Sequence, residues 1–320
     1  MKRVVVPIDL GGSPIDGATR PPRRPPPTAE TVQALIEHYA TERAPAGGVV
    51  LEPAFFRGGL PSAELLAACE PHPVRVACSP ADLSRDGAAW LRDRGVSTIE
   101  LDVRTFDTPT LRALRRGYSG AQARAILSGL GALGLRRGVT LAPGLPGTSH
   151  ASALADAGVV AGDGAAQPLA EFVRLLPALA YEGTDLAQWA VSGRWTPMSI
   201  AEAVTTCEAM EDRLRDAGVP VARMGQQPGA DVPDTHVAGP WHPNLRSLVE
   251  GRRFRRRMAA ALADLPRSAP IELRVHPKDL SWAKGASNTN VRALRAALSL
   301  PGLRVSADPS VPRGSVRVAG

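Results

Sequence analysis

The sequence predicts an α/β protein built on a parallel sheet, open or curled into a partial barrel, followed by a differently organised C-terminal region. Two observations predict the sheet. Short β-branched runs alternate six times with helix-like segments over residues 4–175. The 31 glycines and 30 prolines lie mostly between the apolar segments, where they act as turn signals. After residue 198, two long helical patterns replace the alternation.

Each strand candidate is a short run that contains β-branched residues, which are typical of strands. The candidates are residues 4–8, 49–51, 74–77, 98–101, 139–141 and 172–175. Helical patterns follow them at residues 28–43, 62–68, 86–94, 108–116, 121–133 and 149–157. Thr28, Ser62, Thr108 and Ser149 are the N-cap candidates, since a side-chain oxygen there can accept a hydrogen bond from an unpaired helix amide.

The second half of the chain predicts an extension rather than more barrel. Helical patterns cover residues 199–217 and 244–263, and strands are expected at 271–275 and 303–306. We therefore expect a partial barrel over residues 1–235 and a helical plus small α/β extension over 236–320.

Composition limits the partners and the location. The net charge of +7 favours a polyanion such as nucleic acid or an anionic cofactor, although a general arginine bias explains it equally well. The apolar run at residues 4–6 stops at Pro7, so no secretory signal is expected, and no apolar run could span a membrane. The prediction is a soluble, cytoplasmic protein.

Eight motifs occur in a characteristic order. They are TIELDVRTFD (98–107), RGYS (116–119), PGLPG (143–147), VRLLP (173–177), EGTDL (182–186), RMGQQP (223–228), AGPWHP (238–243) and VHPKDLS (275–281). Their order across nearly the whole chain resembles the radical S-adenosylmethionine (SAM) superfamily, in the group of Elp3 and oxygen-independent coproporphyrinogen oxidase. The resemblance implies a partial (β/α)6 barrel of the radical SAM type.

The resemblance also implies a [4Fe–4S] cluster, which this sequence is not expected to bind. In the family, a C-x3-C-x2-C loop after the first strand supplies three thiolate ligands and leaves the fourth iron open to SAM. The aligned positions here are Ser13, Gly17 and Arg20. The three cysteines of the chain, at positions 69, 78 and 207, are too far apart to reproduce that spacing. SAM binding without a cluster remains open.

Candidate cofactor-binding residues lie where strands are expected to end, because ligands bind beyond the carboxyl ends of parallel strands. Glu100 could hold a cofactor amine or form a buried ion pair, and Arg104 stands where the family has glutamine. The arginines could bind a carboxylate or phosphate through their planar guanidinium groups, or could serve packing. The candidates are Glu100, Arg104, Gly144, Arg174, Arg223 and Gln226.

A basic run at residues 252–257 is the second candidate site. On a helix, Arg252, Arg253, Arg256 and Arg257 share much of one face, which would suit a phosphate backbone. A solvated helix face paired with acids such as Glu250 is the alternative.

Three functional hypotheses follow. The first is a radical SAM homologue without its cluster, either a pseudoenzyme or a protein repurposed for binding or regulation. The second is an active enzyme that binds SAM or another small molecule in the retained barrel. The third is a module that binds tRNA or other RNA.

Overall fold

The computed structural model describes residues 2–10, 27–41, 49–163, 167–226, 235–265 and 270–319. The chain divides into two compact units, residues 1–241 and 242–320. The domain boundary expected after residue 235 stays a prediction. The cluster positions Ser13, Gly17 and Arg20 lie outside the described residues.

A parallel sheet with covering helices makes up most of the first unit, and its seventh and ninth strands form a separate antiparallel pair. Its strands are β1 (Lys2–Asp9), β2 (Val49–Arg57), β3 (Val74–Cys78), β4 (Val96–Arg104), β5 (Arg136–Leu141), β6 (Phe172–Leu175), β7 (Ala180–Tyr181), β8 (Val221–Met224) and β9 (His236–Ala238). Its helices are α1 (Ala29–Thr41), α2 (Ala63–Ala67), α3 (Arg85–Arg92), α4 (Thr108–Ala113), α5 (Gly120–Ala132), α6 (His150–Ala161), α7 (Asp185–Val191) and α8 (Ile200–Asp216).

The sheet is a curled half-barrel, which confirms the predicted fold class. Among the described residues, seven strands pair in the order β1-β2-β3-β4-β5-β6-β8, and every neighbouring pair is parallel. The six predicted strands are the first six, and β8 adds a seventh at the edge. Apolar side chains at the centre of the sheet are fully buried, including Ile99 and Leu101 on β4 and Val139 and Leu141 on β5. Burying each such side chain contributes about 1.5–3 kcal/mol.

Several predicted boundaries move for identifiable reasons. The second strand continues to Arg57, six residues beyond its predicted end, because the bulge between β1 and β2 places Pro53 outside the pairing. The N-cap of α4 is Asp107 rather than Thr108, since the Asp107 carboxylate accepts a hydrogen bond from the Thr110 N–H at 2.9 Å. Ser62 and Ser149 are N-caps as expected.

The second unit is a small α/β arrangement. It contains α9 (Leu245–Leu262), α10 (Leu280–Lys284), α11 (Thr289–Leu298), β10 (Glu272–Val275), β11 (Arg304–Ala307) and β12 (Val316–Val318). Strand β10 is central, parallel to β11 and antiparallel to β12. Phe254 and Met258 of α9 pack with Leu273 and Val275 of β10 and Leu294 of α11 in its core.

Candidate functional site

A cavity of about 60 Å³ lies at the carboxyl ends of the parallel strands, where ligands bind in such sheets. It is much smaller than the roughly 300–1,000 Å³ of ordinary small-molecule pockets. Four of the six predicted cofactor-binding residues line it: Glu100, Arg174, Arg223 and Gln226. The described lining also includes Arg57, Gly58, Gly59, Ala77, Cys78, Ser79, Asp102 and Thr140.

Glu100 on β4 is the centre of a buried ion-pair network. Its side chain is 2% exposed and forms ion pairs with Arg75 of β3 and Arg174 of β6. The Nε atom of Arg174 lies 3.0 Å from Oε1, and the Thr140 hydroxyl donates a 2.8 Å hydrogen bond to the same oxygen. The guanidinium carbons of both arginines lie within 5 Å of the centre of the Phe55 ring, at 4.4 and 4.9 Å. Through one carboxylate, Glu100 therefore joins β4 to three other strands, β3, β5 and β6.

A second network surrounds Asp102. The Nε atom of Arg104 lies 2.7 Å from Asp102 Oδ1, and the fully buried Arg116 places Nη2 3.6 Å from Oδ2. Arg104 has φ of 66°, a left-handed conformation that is strained for arginine, beside the register shift of β4. Arg104 is 5% exposed and is absent from the cavity lining. Its contacts are those of a structural ion pair to Asp102.

Tyr118 forms a hydrogen bond with the main chain at the end of β4. Its hydroxyl donates to the carbonyl oxygen of Val103 at 2.8 Å. Burial raises the pKa of Tyr118 to about 12, partly offset by the nearby Arg116. The phenol is therefore a neutral hydrogen-bond donor at physiological pH.

The remaining polar edge of the cavity is formed by β6 and β8. Arg174 and Arg223 are register partners on these neighbouring strands. The Nε–H of Arg223 donates to the Gly225 carbonyl oxygen at 3.3 Å. Gln226 is 7% exposed, and its Oε1 accepts a hydrogen bond from the Tyr181 hydroxyl. With its oxygen engaged in this way, Gln226 retains an amide NH₂ group as a donor.

Gly144 has a structural role in the loop after β5. Its φ is 86°, and an added Cβ would lie 2.7 Å from the sulfur of Met198. Its carbonyl oxygen accepts a 3.1 Å hydrogen bond from the Trp195 indole. Gly144 is not part of the described lining of the cavity.

The three cysteines do not fit a cluster. They are buried, unpaired thiols on separate elements, namely Cys69 after α2, Cys78 at the end of β3 and Cys207 within α8. Burial raises the pKa of Cys69 to about 11 and that of Cys207 to about 12, and it raises the pKa of Cys78 further, together with nearby Asp82, Asp102 and Glu100. A cluster needs thiolates brought together around one set of irons, whereas these three cysteines lie on three separate elements.

Other metal ligands do not replace the cysteines in the part of the chain that the structure describes. Within the described residues, no three His, Cys, Asp or Glu side chains come together in a way that could hold a metal ion. The side chains in this part of the chain therefore do not fit an iron–sulfur cluster.

Helix α9 does not expose the predicted basic face as a whole. Arg253 is 5% exposed and forms an ion pair with Glu250 at 2.9 Å. Arg257 donates to the Gly314 carbonyl oxygen at 2.6 Å and is partly buried. Arg252 is also partly buried, whereas Arg256 is exposed. Two of the four residues thus serve the packing of the second unit.

Comparisons with known proteins agree with this architecture. Residues 170–255 match the radical SAM C-terminal domain. The solved structure of Elp3 from Methanocaldococcus infernus superposes with a TM-score of 0.61 at 18% identity, covering 79% of this chain and 63% of that one. At that level of identity, the superposition shows the shared fold.

Two curated relatives match shorter segments. The tRNA uridine(34) acetyltransferase of Dehalococcoides mccartyi (strain CBDB1) is 31% identical over 120 residues, 38% of this chain and 25% of that protein. The tRNA pseudouridine synthase A of Mycobacterium leprae (strain TN) is 34% identical over 131 residues, 40% of this chain and 43% of that protein. This chain therefore spans less than half the length of either curated relative.

The fold and the site define a parallel partial-barrel protein whose polar residues converge at the carboxyl edge of the sheet. Residues 170–255 thus resemble the radical SAM C-terminal domain, and the chain shares the fold of Elp3. Across the described residues, no helix combines the length and apolarity needed to cross a bilayer.

Proposed function

We propose that this protein is a radical SAM homologue that has lost the cluster and uses its barrel for binding or regulation instead of radical chemistry. The observation that carries the proposal is the state of the cysteines. The whole chain contains three, and none stands at the family's cluster positions. All three are buried thiols on separate elements with raised pKa values.

The contacts of the acids at the strand ends support the same proposal. Glu100 and Asp102 are both engaged by arginines at the strand ends. The cavity of about 60 Å³ is far smaller than the pockets that hold ligands of the size of SAM. These features disfavour the alternative in which an active enzyme binds SAM in the barrel. The cytoplasmic location expected from the sequence remains part of this proposal.

Anaerobic expression with added iron and sulfide tests the proposal directly. We expect a colourless protein without stoichiometric iron and without cleavage of SAM to 5′-deoxyadenosine under reducing conditions. A variant carrying Ser13→Cys, Gly17→Cys and Arg20→Cys restores the family spacing and controls for the reconstitution procedure. A brown wild-type protein with a cluster absorption band and SAM cleavage would contradict the proposal.

RNA binding is a second candidate, and one observation favours it. The matched segment of a protein named as a tRNA uridine(34) acetyltransferase is 31% identical to this chain, which also carries a net charge of +7. Electrostatic binding to tRNA should weaken steeply with added salt. In a filter-binding assay, we expect Arg256→Gln to weaken binding more than an exposed arginine on α3, Arg85→Gln. Salt-independent affinity would contradict the electrostatic account.

A further inference from the structure

We propose that a cavity in the second unit binds a small organic diphosphate, a molecule with two linked phosphate groups on a carbon body. The cavity has a volume of about 430 Å³, within the roughly 300–1,000 Å³ of ordinary small-molecule pockets. It is lined from α10, α11, β10 and β11, outside the residues 170–255 that match the radical SAM C-terminal domain. The inference therefore goes beyond the proposed function, which concerns the barrel.

The second unit concentrates the positive charge of the chain. Residues 242–320 contain 15 lysines and arginines against five aspartates and glutamates, an excess of ten positive charges, whereas the whole chain has a net charge of +7. The first 241 residues therefore carry three net negative charges. A concentration of one sign of charge attracts ligands of the other sign, so the second unit favours an anionic ligand.

Four basic side chains line the cavity, and they come from three elements. They are Lys284 of α10, Arg292 and Arg295 of α11, and Arg304 of β11. Among the described lining residues, the one carboxylate is Glu272 of β10, which leaves three positive charges in excess. An organic diphosphate carries about three negative charges at neutral pH, because its terminal phosphate carries about 1.5–2 and its inner phosphate about one. The charges of ligand and cavity therefore match.

The basic side chains retain donors for a ligand. Within the described residues, the structure gives the side chains of Lys284 and Arg292 no ion pair and no hydrogen bond. Arg295 is held at the cavity edge, since its Nε and Nη2 atoms donate to the Leu303 carbonyl oxygen at 3.1 and 2.8 Å. Its Nη1 group remains a donor. Charged donors of this kind form the stronger hydrogen bonds to phosphate oxygens.

The carboxylate in the lining is engaged by its own neighbours. The Ser306 hydroxyl donates to Glu272 Oε1 at 2.6 Å, and Nη2 of Arg274 lies 3.3 Å from Oε2. Hydrogen bonds from Ser306 and Arg274 hold the pKa of Glu272 below its usual range, and the charge of Arg304 adds to the effect. Both oxygens of Glu272 are thus occupied, which leaves the basic side chains of α10 and α11 to an external anion.

An apolar wall and the size of the cavity indicate a carbon body on the ligand. Val291 and Val305 line the cavity and belong to the core of the second unit. Apolar surface gains free energy by contact with carbon and not with a bare ion. One buried water needs about 10–15 Å³ of this kind of space, so two phosphate groups alone would leave most of the 430 Å³ unfilled.

The loop between α10 and α11 adds two polar side chains in an unusual conformation. Ser287 and Asn288 line the cavity with φ of 48° and 60°, a left-handed conformation that is strained in residues other than glycine. Such strain is retained where the surrounding structure holds the backbone, and it is concentrated at ligand sites. The hydroxyl of Ser287 and the amide of Asn288 supply further donors at the cavity.

Calorimetric titration of the full chain at constant ionic strength tests the proposal. The probes are ADP and dimethylallyl diphosphate, which share the diphosphate and differ in the carbon body. We expect at least one of them to bind at one site per chain, about tenfold or more tightly than inorganic phosphate and inorganic pyrophosphate. Tighter binding of ADP indicates a nucleoside diphosphate, and tighter binding of dimethylallyl diphosphate indicates an apolar body.

Two results of the titration would overturn the inference. The first is no binding of either organic diphosphate at about 10 mM, roughly ten times a weak Kd of about 1 mM. The second is binding of inorganic pyrophosphate as tightly as both organic diphosphates, because the carbon body would then contribute nothing.

Variants locate the bound ligand. Arg292→Gln should weaken binding about tenfold or more, because it removes a charge-assisted contact at an exposed position. Arg255→Gln removes the same charge from an exposed position on α9 in the same unit and should leave binding unchanged. Equal losses in both variants, or none in Arg292→Gln, would assign binding to the general charge of the unit. If Arg292→Gln does not fold, a rise in the wild-type Tm with the organic diphosphate but not with phosphate supports the site, and its absence contradicts it.

The same preparations separate this inference from the proposed function and from RNA binding. Iron content and 5′-deoxyadenosine production report on the loss of the cluster, so a protein without iron that binds neither diphosphate retains the proposed function and loses this inference. Binding of a short single-stranded RNA that Arg292→Gln weakens, without binding of either diphosphate, would assign the surface to nucleic acid and overturn the inference.

Discussion

Replacing Glu100 by glutamine removes one buried negative charge while preserving the size of the side chain. The carboxylate is 2% exposed and holds Arg75 and Arg174, whose side chains are 16% and 14% exposed. Removing one member of a buried ion pair costs about 3–5 kcal/mol, since the remaining charges lose their partner. For a unit of this size, such a loss lowers Tm by roughly 6–20 °C.

Chemical denaturation followed by circular dichroism measures the change in the free energy of unfolding. Asp163→Asn is the matched control, because it breaks an ion pair with Arg213 whose two side chains are about half exposed, at 50% and 46%. We expect that variant to lose no more than about 1 kcal/mol. If Glu100→Gln lowers the free energy of unfolding no more than Asp163→Asn does, the buried network does not exist as described.

A double variant separates charge from packing. Arg75 lies over the rings of Phe55 and Phe172 at 4.4 and 4.7 Å, contacts that a methionine side chain can largely retain. Adding Arg75→Met to Glu100→Gln should therefore recover part of the lost stability by removing an uncompensated charge. Additive losses in the cycle would mean that the two residues do not interact.

Three further predictions concern the rest of the chain. Burial raises the pKa of Asp156 to about 6 from 3.8, partly offset by a hydrogen bond from the Phe106 N–H. The stability that this carboxyl contributes is therefore present below about pH 4 and is lost as the pH rises through 6. Over that range, the free energy of unfolding of the wild type should fall by about 1–3 kcal/mol relative to that of Asp156→Asn, as measured by chemical denaturation. Gly120→Ala should destabilise the protein strongly, because its Cβ would lie 2.0 Å from the Phe106 carbonyl oxygen. A Cβ at Gly129 in the same helix meets nothing within 4 Å, so Gly129→Ala should stabilise the protein by up to about 1 kcal/mol. Thermal denaturation measures both changes. The three cysteines should react with a thiol reagent at pH 8 only after unfolding, and rapid labelling of the native protein would refute their burial.

Much of the parallel sheet was predictable, because most of its strands are short runs rich in β-branched and other apolar residues, which are recognisable without their partners. The six predicted strands occupy six of the seven sheet positions. Strand β8 was not among the predicted strands; its sequence, VARM, forms a four-residue strand at the sheet edge. Because the second strand was predicted to end at Leu51, Arg57 was not included among the candidate site residues. That residue was identifiable only with the bulge that lets the strand continue past Pro53.

The candidate site was predictable in location but less so in its members. Strand ends of a parallel sheet converge, so Glu100, Arg174, Arg223 and Gln226 were expected near one another, and all line one cavity. Gly144 and Arg104 also follow or end strands, yet local turns direct their contacts to Trp195 and Asp102 instead. Proximity to a strand end does not determine which way a loop residue turns.

The amino-acid sequence by itself determined the fold class and the wide spacing of the three cysteines, because hydrophobic periodicity and the position of a thiol are properties of the chain. Only the tertiary structure decided which charges neutralise one another. Glu100 contacts Arg75 and Thr140, which lie 25 and 40 residues away along the chain, and the register of the sheet brings these side chains together. On helix α9, likewise, Arg253 is buried and Arg256 is exposed. Helical spacing places both residues on one predicted face, but only the packing of the helix decides which of them water reaches.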